Sequence, residues 1–167
     1  MQKLSLALMA AGMIGLAGTP VLAAPSSHAR AFANTAAQSG LAEVQAGQLA
    51  EQRAASPQVR QFGQILVQDH TAANQRLQDI AQQDNLTLPE QPSGAQRSEL
   101  KRLRGLSGQQ FDRSFVQAEI KDHRQAIAQF EREERTGKDP TLKAFAHDTL
   151  PVLRKHLRMA QSLAGNG

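Results

Sequence analysis

The chain contains no cysteine. That absence excludes disulfides, thiolate metal sites and thiol catalysis, and also the lipidated cysteine that would tether a lipoprotein. Aromatic residues are limited to six phenylalanines. Basic residues are interspersed with acids, apart from the cluster KRLR at 101–104, so no aromatic-and-basic platform for nucleic acid is present and no nucleic-acid partner is expected. After residue 23 no run is apolar over the roughly 20 residues that a spanning helix needs. Nor does any segment alternate strictly enough to suggest a transmembrane barrel. A G-x-S-x-G elbow is missing, and Gly105 and Gly108 flank a helix restart where a phosphate-binding loop would need a different glycine pattern. No catalytic residue is therefore nominated.

What the chain does have begins with its first 23 residues. One early positive charge, an apolar run from Leu4 to Ala17 and small residues at Val21 and Ala23 read as a secretory signal over 1–23, cleaved after Ala23. A single domain is expected over 24–167, exported to the periplasm or beyond, with association at the outer membrane as one destination. The formal net charge of +4 falls by one when Lys3 is removed. Residual positivity favours peripheral contact with anionic envelope or membrane surfaces at low salt.

The remainder is rich in Ala, Gln, Leu, Glu and Arg and poor in β-branched residues, which favours helix throughout. Phe32, Ala36, Gly40, Glu43, Gly47 and Ala50 form one stripe at helical spacing. Ser56-Pro57 supplies a cap and a first-turn proline for a second helix, whose stripe is Phe62, Leu66, Ala73, Leu77 and Ile80. The turn-rich stretch NLTLPEQPSG (85–94) precedes a short helix predicted around Ala95 to Arg104. Ser107 opens a third long helix with Phe111, Phe115, Glu119, Ile120, Ile127 and Phe130 on one face, closed by Gly137. Asp139-Pro140 repeats the cap-plus-proline grammar before a last stripe of Leu142, Phe145, Thr149, Leu153, Leu157, Ala160 and Leu163. The expectation is an all-α four-helix bundle with a short extra helix in the connection between long helices 2 and 3. That connection is long enough to cross the height of the bundle or to pack at one end in up-and-down topology; the crossover is favoured, because a short loop would have sufficed for the alternative.

Two stretches share a pattern: VQDHTAANQRL (67–77) and IKDHRQAIAQF (120–130). Each places a histidine on the inward stripe, four residues after one stripe member and seven before another. His156 repeats those offsets, and Glu43 interrupts the small-residue stripe of the first helix. All four lie near the midpoints of their helices, so they are expected at one height, with Glu119 one turn before His123. Two readings follow. In one, Glu43 and Glu119 accept hydrogen bonds from the imidazoles and the layer only fixes helix register, as in a structural or envelope-stress interaction protein. In the other, Glu43, His70, Glu119, His123 and His156 ligate a transition metal, with zinc or iron suited to imidazole and carboxylate. Asp69 and Asp122, about 100° around each helix, are expected as partners of the ligands more than as ligands.

A di-metal oxidoreductase is the enzyme alternative. Di-iron bundles carry E-x-x-H on two helices, whereas Val67, Ile120 and Leu153 stand three residues before the histidines here. His28 is expected to be mobile and His147 exposed.

The words SGLAEVQAGQLA (39–50), VQDHTAAN (67–74), LSGQQFD (106–112), IKDHRQAI (120–127) and LPVLRKHL (150–157) closely resemble a bacterial exported family of unknown function. That family is related to ferritin-like four-helix bundles and is commonly labelled predicted outer membrane protein. The resemblance implies a ferritin-like bundle and export, and supplies no reaction. Carried over residue by residue, Glu43, His70, His123 and His156 match the family's recurrent polar words.

Overall fold

The computed structural model describes residues 24–165. The signal expected over 1–23 lies outside them. The described residues form five helices and no strand: α1 (Ser27–Arg53), α2 (Pro57–Gln83), α3 (Gly94–Arg104), α4 (Gly108–Thr136) and α5 (Pro140–Gly165). None of these helices is long and apolar enough to cross a membrane.

Local chemistry sets most of the boundaries. The Ser26 hydroxyl accepts from the Ala29 amide and opens α1, and the Ser56 hydroxyl accepts from the Val59 amide ahead of Pro57. Ser93 and Gln96 form a reciprocal capping box that starts α3 one residue before the predicted Ala95. The Asp139 carboxylate accepts from the amides of Thr141 and Leu142 and opens α5. Ser107 occupies the cap of α4 without a side-chain capping bond. Asn85 takes a left-handed conformation at φ 53° just after α2, where Asn is among the residues least penalised.

One sequence rule fails. Pro151 lacks an N–H and ordinarily breaks a helix interior, yet α5 continues through it. Its neighbours Leu150 and Leu153 are both buried, so tertiary packing on either side outweighs the lost bond.

Helix α1 packs along α2 and α4 along α5, while α2 meets α5 and α1 meets α4 more sparingly. At the α1–α2 seam two glycines are required by close approach. A Cβ on Gly47 would sit 2.6 Å from the Gly63 carbonyl oxygen, and one on Gly63 would sit 2.7 Å from that of Gly47.

Two apolar clusters cap the ends of the assembly. One joins Phe32 early in α1, Leu77 and Ile80 late in α2, Phe130 late in α4 and Phe145 early in α5. The other joins Leu49 late in α1, Phe62 early in α2, Phe111 and Phe115 early in α4 and Ala160 late in α5. Helices α1 and α5 therefore run one way and α2 and α4 the other. Because α2 and α4 are parallel, the chain between them must return the full height, and it does so through α3, whose Leu100 and Leu103 join the second cluster. Each phenylalanine buried in these clusters stabilises the fold by about 1.5–3 kcal/mol.

Candidate metal centre

Between the two apolar clusters each long helix contributes polar side chains: Glu43 from α1, His70 from α2, Glu119 and His123 from α4, and His156 from α5. All five are buried, His156 completely. The expected common layer is thus formed, because each residue occupies a core position of its own stripe. The three imidazoles form a triangle, with ring centroids 5.7 Å apart for His70–His123 and 5.3 Å apart for His70–His156 and His123–His156. One ring nitrogen from each lies within 4.8 Å of the others. Phe62 packs edge-on beneath the His156 ring, closing the layer on the side of the second apolar cluster.

Proton positions follow from the partners. The Nδ1 of His123 lies 3.0 Å from the Glu119 carbonyl oxygen, which can only accept, so this nitrogen carries the hydrogen. The Nε2 of His156 lies 2.9 Å from Asp69 Oδ2, and donates to that carboxylate. In their neutral forms both rings then have only a lone pair left on the remaining nitrogen. Those two nitrogens, His123 Nε2 and His156 Nδ1, face each other at 3.2 Å. His70 Nε2 is buried with no hydrogen-bond partner. Burial is the main force pushing the His70 pKa well below the usual imidazole value, with His123 and His156 adding to it. His156 is also lowered, again chiefly by burial, with the Asp69 hydrogen bond opposing. Neutral rings with available lone pairs are the form that binds metal.

The carboxylates behave differently from the expectation that they would accept from the imidazoles. Glu43 Oε2 and Glu119 Oε2 are buried and accept no hydrogen bond. His123 Nδ1 comes within 3.4 Å of Glu119 Oε2, but its hydrogen is directed at the backbone carbonyl. The donors of the layer are already committed to Glu119's carbonyl and to Asp69, so the two glutamates are left facing each other. Burial raises the Glu43 carboxyl well above the carboxylate range, with the neighbouring Glu119 charge adding to it. Burial also pushes Glu119 up to about 8, partly opposed by a side-chain hydrogen bond in which the Glu43 carboxyl donates. Glu43, Glu119 and His123 form a second group whose ligand atoms lie within 4.8 Å of one another.

Asp69 meets its sequence expectation as the partner of His156, whereas Asp122 is half-buried, with a pKa raised mainly by burial. A cavity of about 460 Å³ connects exposed side chains at Thr35, Lys121 and Gln125 with Glu43, His70 and His123 at its base. Solvent can therefore approach Glu43, His70 and His123, whereas Glu119 and His156 do not line this cavity.

Outside the layer, His147 is exposed, as expected, and pairs with Glu134 at 2.6 Å. His28, expected to be mobile, has its Nε2 2.7 Å from Glu133 Oε2, to which it donates, joining the start of α1 to the end of α4. Glu133, almost fully buried, escaped the sequence reading. Its position three residues after Phe130 on the α4 stripe was the available signal.

A model of a domain of unknown function, DUF4142, matches residues 17–163. The chain belongs to the DUF4142 family. No curated protein matches it. Among solved structures, a DUF305 fragment from Deinococcus radiodurans is similar with a TM-score of 0.76 and 14% identity, covering 87% of this chain and 100% of that one. A DUF305 protein from Streptomyces coelicolor, proposed to be secreted, is similar with a TM-score of 0.71 and 16% identity, covering 84% of this chain and 93% of that one. At such identities the likeness speaks to the helical fold alone.

Proposed function

We propose that this DUF4142 member is an exported protein, built as a ferritin-like four-helix bundle, that binds one divalent transition-metal ion through His70, His123 and His156. Zinc and iron are the metals best suited to a buried imidazole set. The observation that carries the reading is the pair of facing nitrogens at 3.2 Å, each with its other ring N–H already committed to an oxygen. Two lone pairs at that distance repel unless a cation lies between them. A tetrahedral ion bound at about 2.0–2.1 Å would separate neighbouring ligand nitrogens by about 3.3–3.4 Å. The Asp69 carboxylate and the Glu119 carbonyl then act as the outer partners that fix ring tautomer and orientation.

Binding is ligation without turnover. Protons compete for the same lone pairs, so affinity falls as acid protonates the imidazoles. The missing E-x-x-H pairs argue against ferritin-type oxidation. Export rests on the character of residues 1–23, and positive charge would favour peripheral contact with anionic envelope surfaces. A purely structural layer is the second reading, favoured by the hydrogen-bonded run from Glu119 through His123 and His156 to Asp69. In that reading a proton takes the place of the ion between the two rings.

Titration of zinc into the metal-free chain, prepared without a histidine tag, separates the two. One tight equivalent, lost in His123→Ala and His156→Ala variants that remain helical, supports the metal reading. No binding of zinc, iron, copper or manganese by the folded chain would leave only the structural one.

A further inference from the structure

The three-imidazole reading leaves two buried carboxyls without a task. Glu43 and Glu119 project from α1 and α4 into the same space, and Glu43 Oε2 and Glu119 Oε2 are both buried without a hydrogen-bond partner. Among the described residues no lysine or arginine pairs with either. A shared proton can hold two such buried carboxyls together, and a bound cation in its place would satisfy both at once. We propose that Glu43 and Glu119 hold a second divalent cation beside the imidazole-bound one, giving a centre with a nitrogen-rich half and an oxygen-only half.

This inference rests on the three-imidazole reading in one respect, the allotment of His123. That ring is common to both groups of potential ligands. Its Nδ1–H is committed to the Glu119 carbonyl, and its Nε2 faces His156. No nitrogen remains for the second cation, which therefore takes Glu43 and Glu119 oxygens and completes its shell with water. The cavity that reaches Glu43 from exposed Thr35 and Lys121 supplies both the water and the way in. An oxygen-and-water shell suits hard cations such as manganese(II) or magnesium, while zinc is drawn first to the imidazole nitrogens. Charge also balances: Glu43, Glu119, Asp69 and Asp122 together offer four negative charges around two dications.

The test loads the metal-free chain with one equivalent of zinc, then titrates manganese(II), following free manganese by electron paramagnetic resonance and counting both metals per chain. One zinc and one manganese are expected. In the Glu43→Gln/Glu119→Gln variant manganese affinity should fall at least about tenfold, since two charged ligands are lost, while zinc stays at one equivalent. Gln preserves shape, and circular dichroism checks the fold. The single Glu43→Gln variant serves if the double variant does not fold. The proposal is overturned if the zinc-loaded native chain takes up no manganese at millimolar concentration, or if the Gln variants bind as much as the native chain. Failure of zinc to bind at all would instead sink the three-imidazole reading. Manganese titration of the metal-free chain then decides the carboxyl pair by itself: binding lost in the Gln variants keeps it, and no binding rejects it.

Discussion

The apolar clusters and the polar layer between them are made by the same helices from neighbouring positions of the same stripes, yet they differ in self-sufficiency. At the ends, phenylalanines meet phenylalanines: Phe32 lies edge-on to Phe130 and Phe145 in one cluster, and Phe111 stacks on Phe115 in the other. The rings themselves need no further partner, and the unpaired polar atoms near the ends, Arg53 Nε and Glu133 Oε1, stand singly. In the middle, Glu43 Oε2, His70 Nε2 and Glu119 Oε2 are buried and unpaired. Cohesion therefore belongs to the ends, and capacity for a ligand belongs to the layer that the protein alone leaves unsatisfied.

That contrast can be broken at several points. The largest effect is expected at an end: Phe115→Ala should lower stability by about 3–5 kcal/mol in urea unfolding, because a fully buried ring leaves a cavity. A metal-site change should not reproduce this loss in the metal-free chain. Next comes the ligand. With free zinc held at a hundred times its dissociation constant, the native chain should gain about 2.7 kcal/mol, and EDTA should remove the gain. The same addition should leave His123→Ala unmoved in thermal unfolding.

Smaller still is the effect of Asp69→Asn, which keeps the ring but weakens the acceptor that orients His156. Zinc affinity should fall about 10–100-fold by competition with a chelating dye, with the helical content unchanged. An Asp69→Asn chain that binds zinc as tightly as the native one would remove Asp69 from the account.

The gentlest test uses pH on the metal-free chain. The Glu119 carboxyl has a folded-state pKa raised to about 8 from an ordinary value of 4.5. A raised carboxyl contributes its full stability below 4.5 and loses it as pH rises through about 8, since the unfolded chain releases the proton first. The lowered imidazoles act the other way and only below their ordinary value of 6.5. Between pH 6.5 and 8 stability should therefore decline, by at most about 1.4 kcal/mol per pH unit for each proton involved. Glu119→Gln should flatten that slope. A native slope of zero across this window would show that the carboxyl is ionised when buried.

Much of this was readable from the chain because helix signals are local. Ser56-Pro57 and Asp139-Pro140 placed the starts of α2 and α5, and the common offsets around His70, His123 and His156 placed the polar layer. Depth along a helix follows from counting residues, so convergence at mid-height needed no tertiary information. What escaped depended on rotation and on long-range contact. The donor to Asp69 is His156, 87 positions away, and no periodicity reveals it. The orphaned glutamate oxygens depend on which atoms the imidazoles choose, a choice made by the Glu119 carbonyl. Glu133 and His28, 105 positions apart, find each other only when the start of α1 meets the end of α4. Ala146 and Leu150 fall off the α5 stripe read from the sequence because that stripe runs through Thr149, one position to the side; both are buried whereas Thr149 is only partly so.

The central claim is that the three imidazoles share one ion. X-ray absorption at the zinc edge, on the chain loaded with one equivalent, tests it most directly. Three nitrogen neighbours at about 2.0–2.1 Å with imidazole scattering are expected, falling to two in His70→Leu. A spectrum with at most one imidazole, or one that is the same in the native and His70→Leu chains, would contradict it.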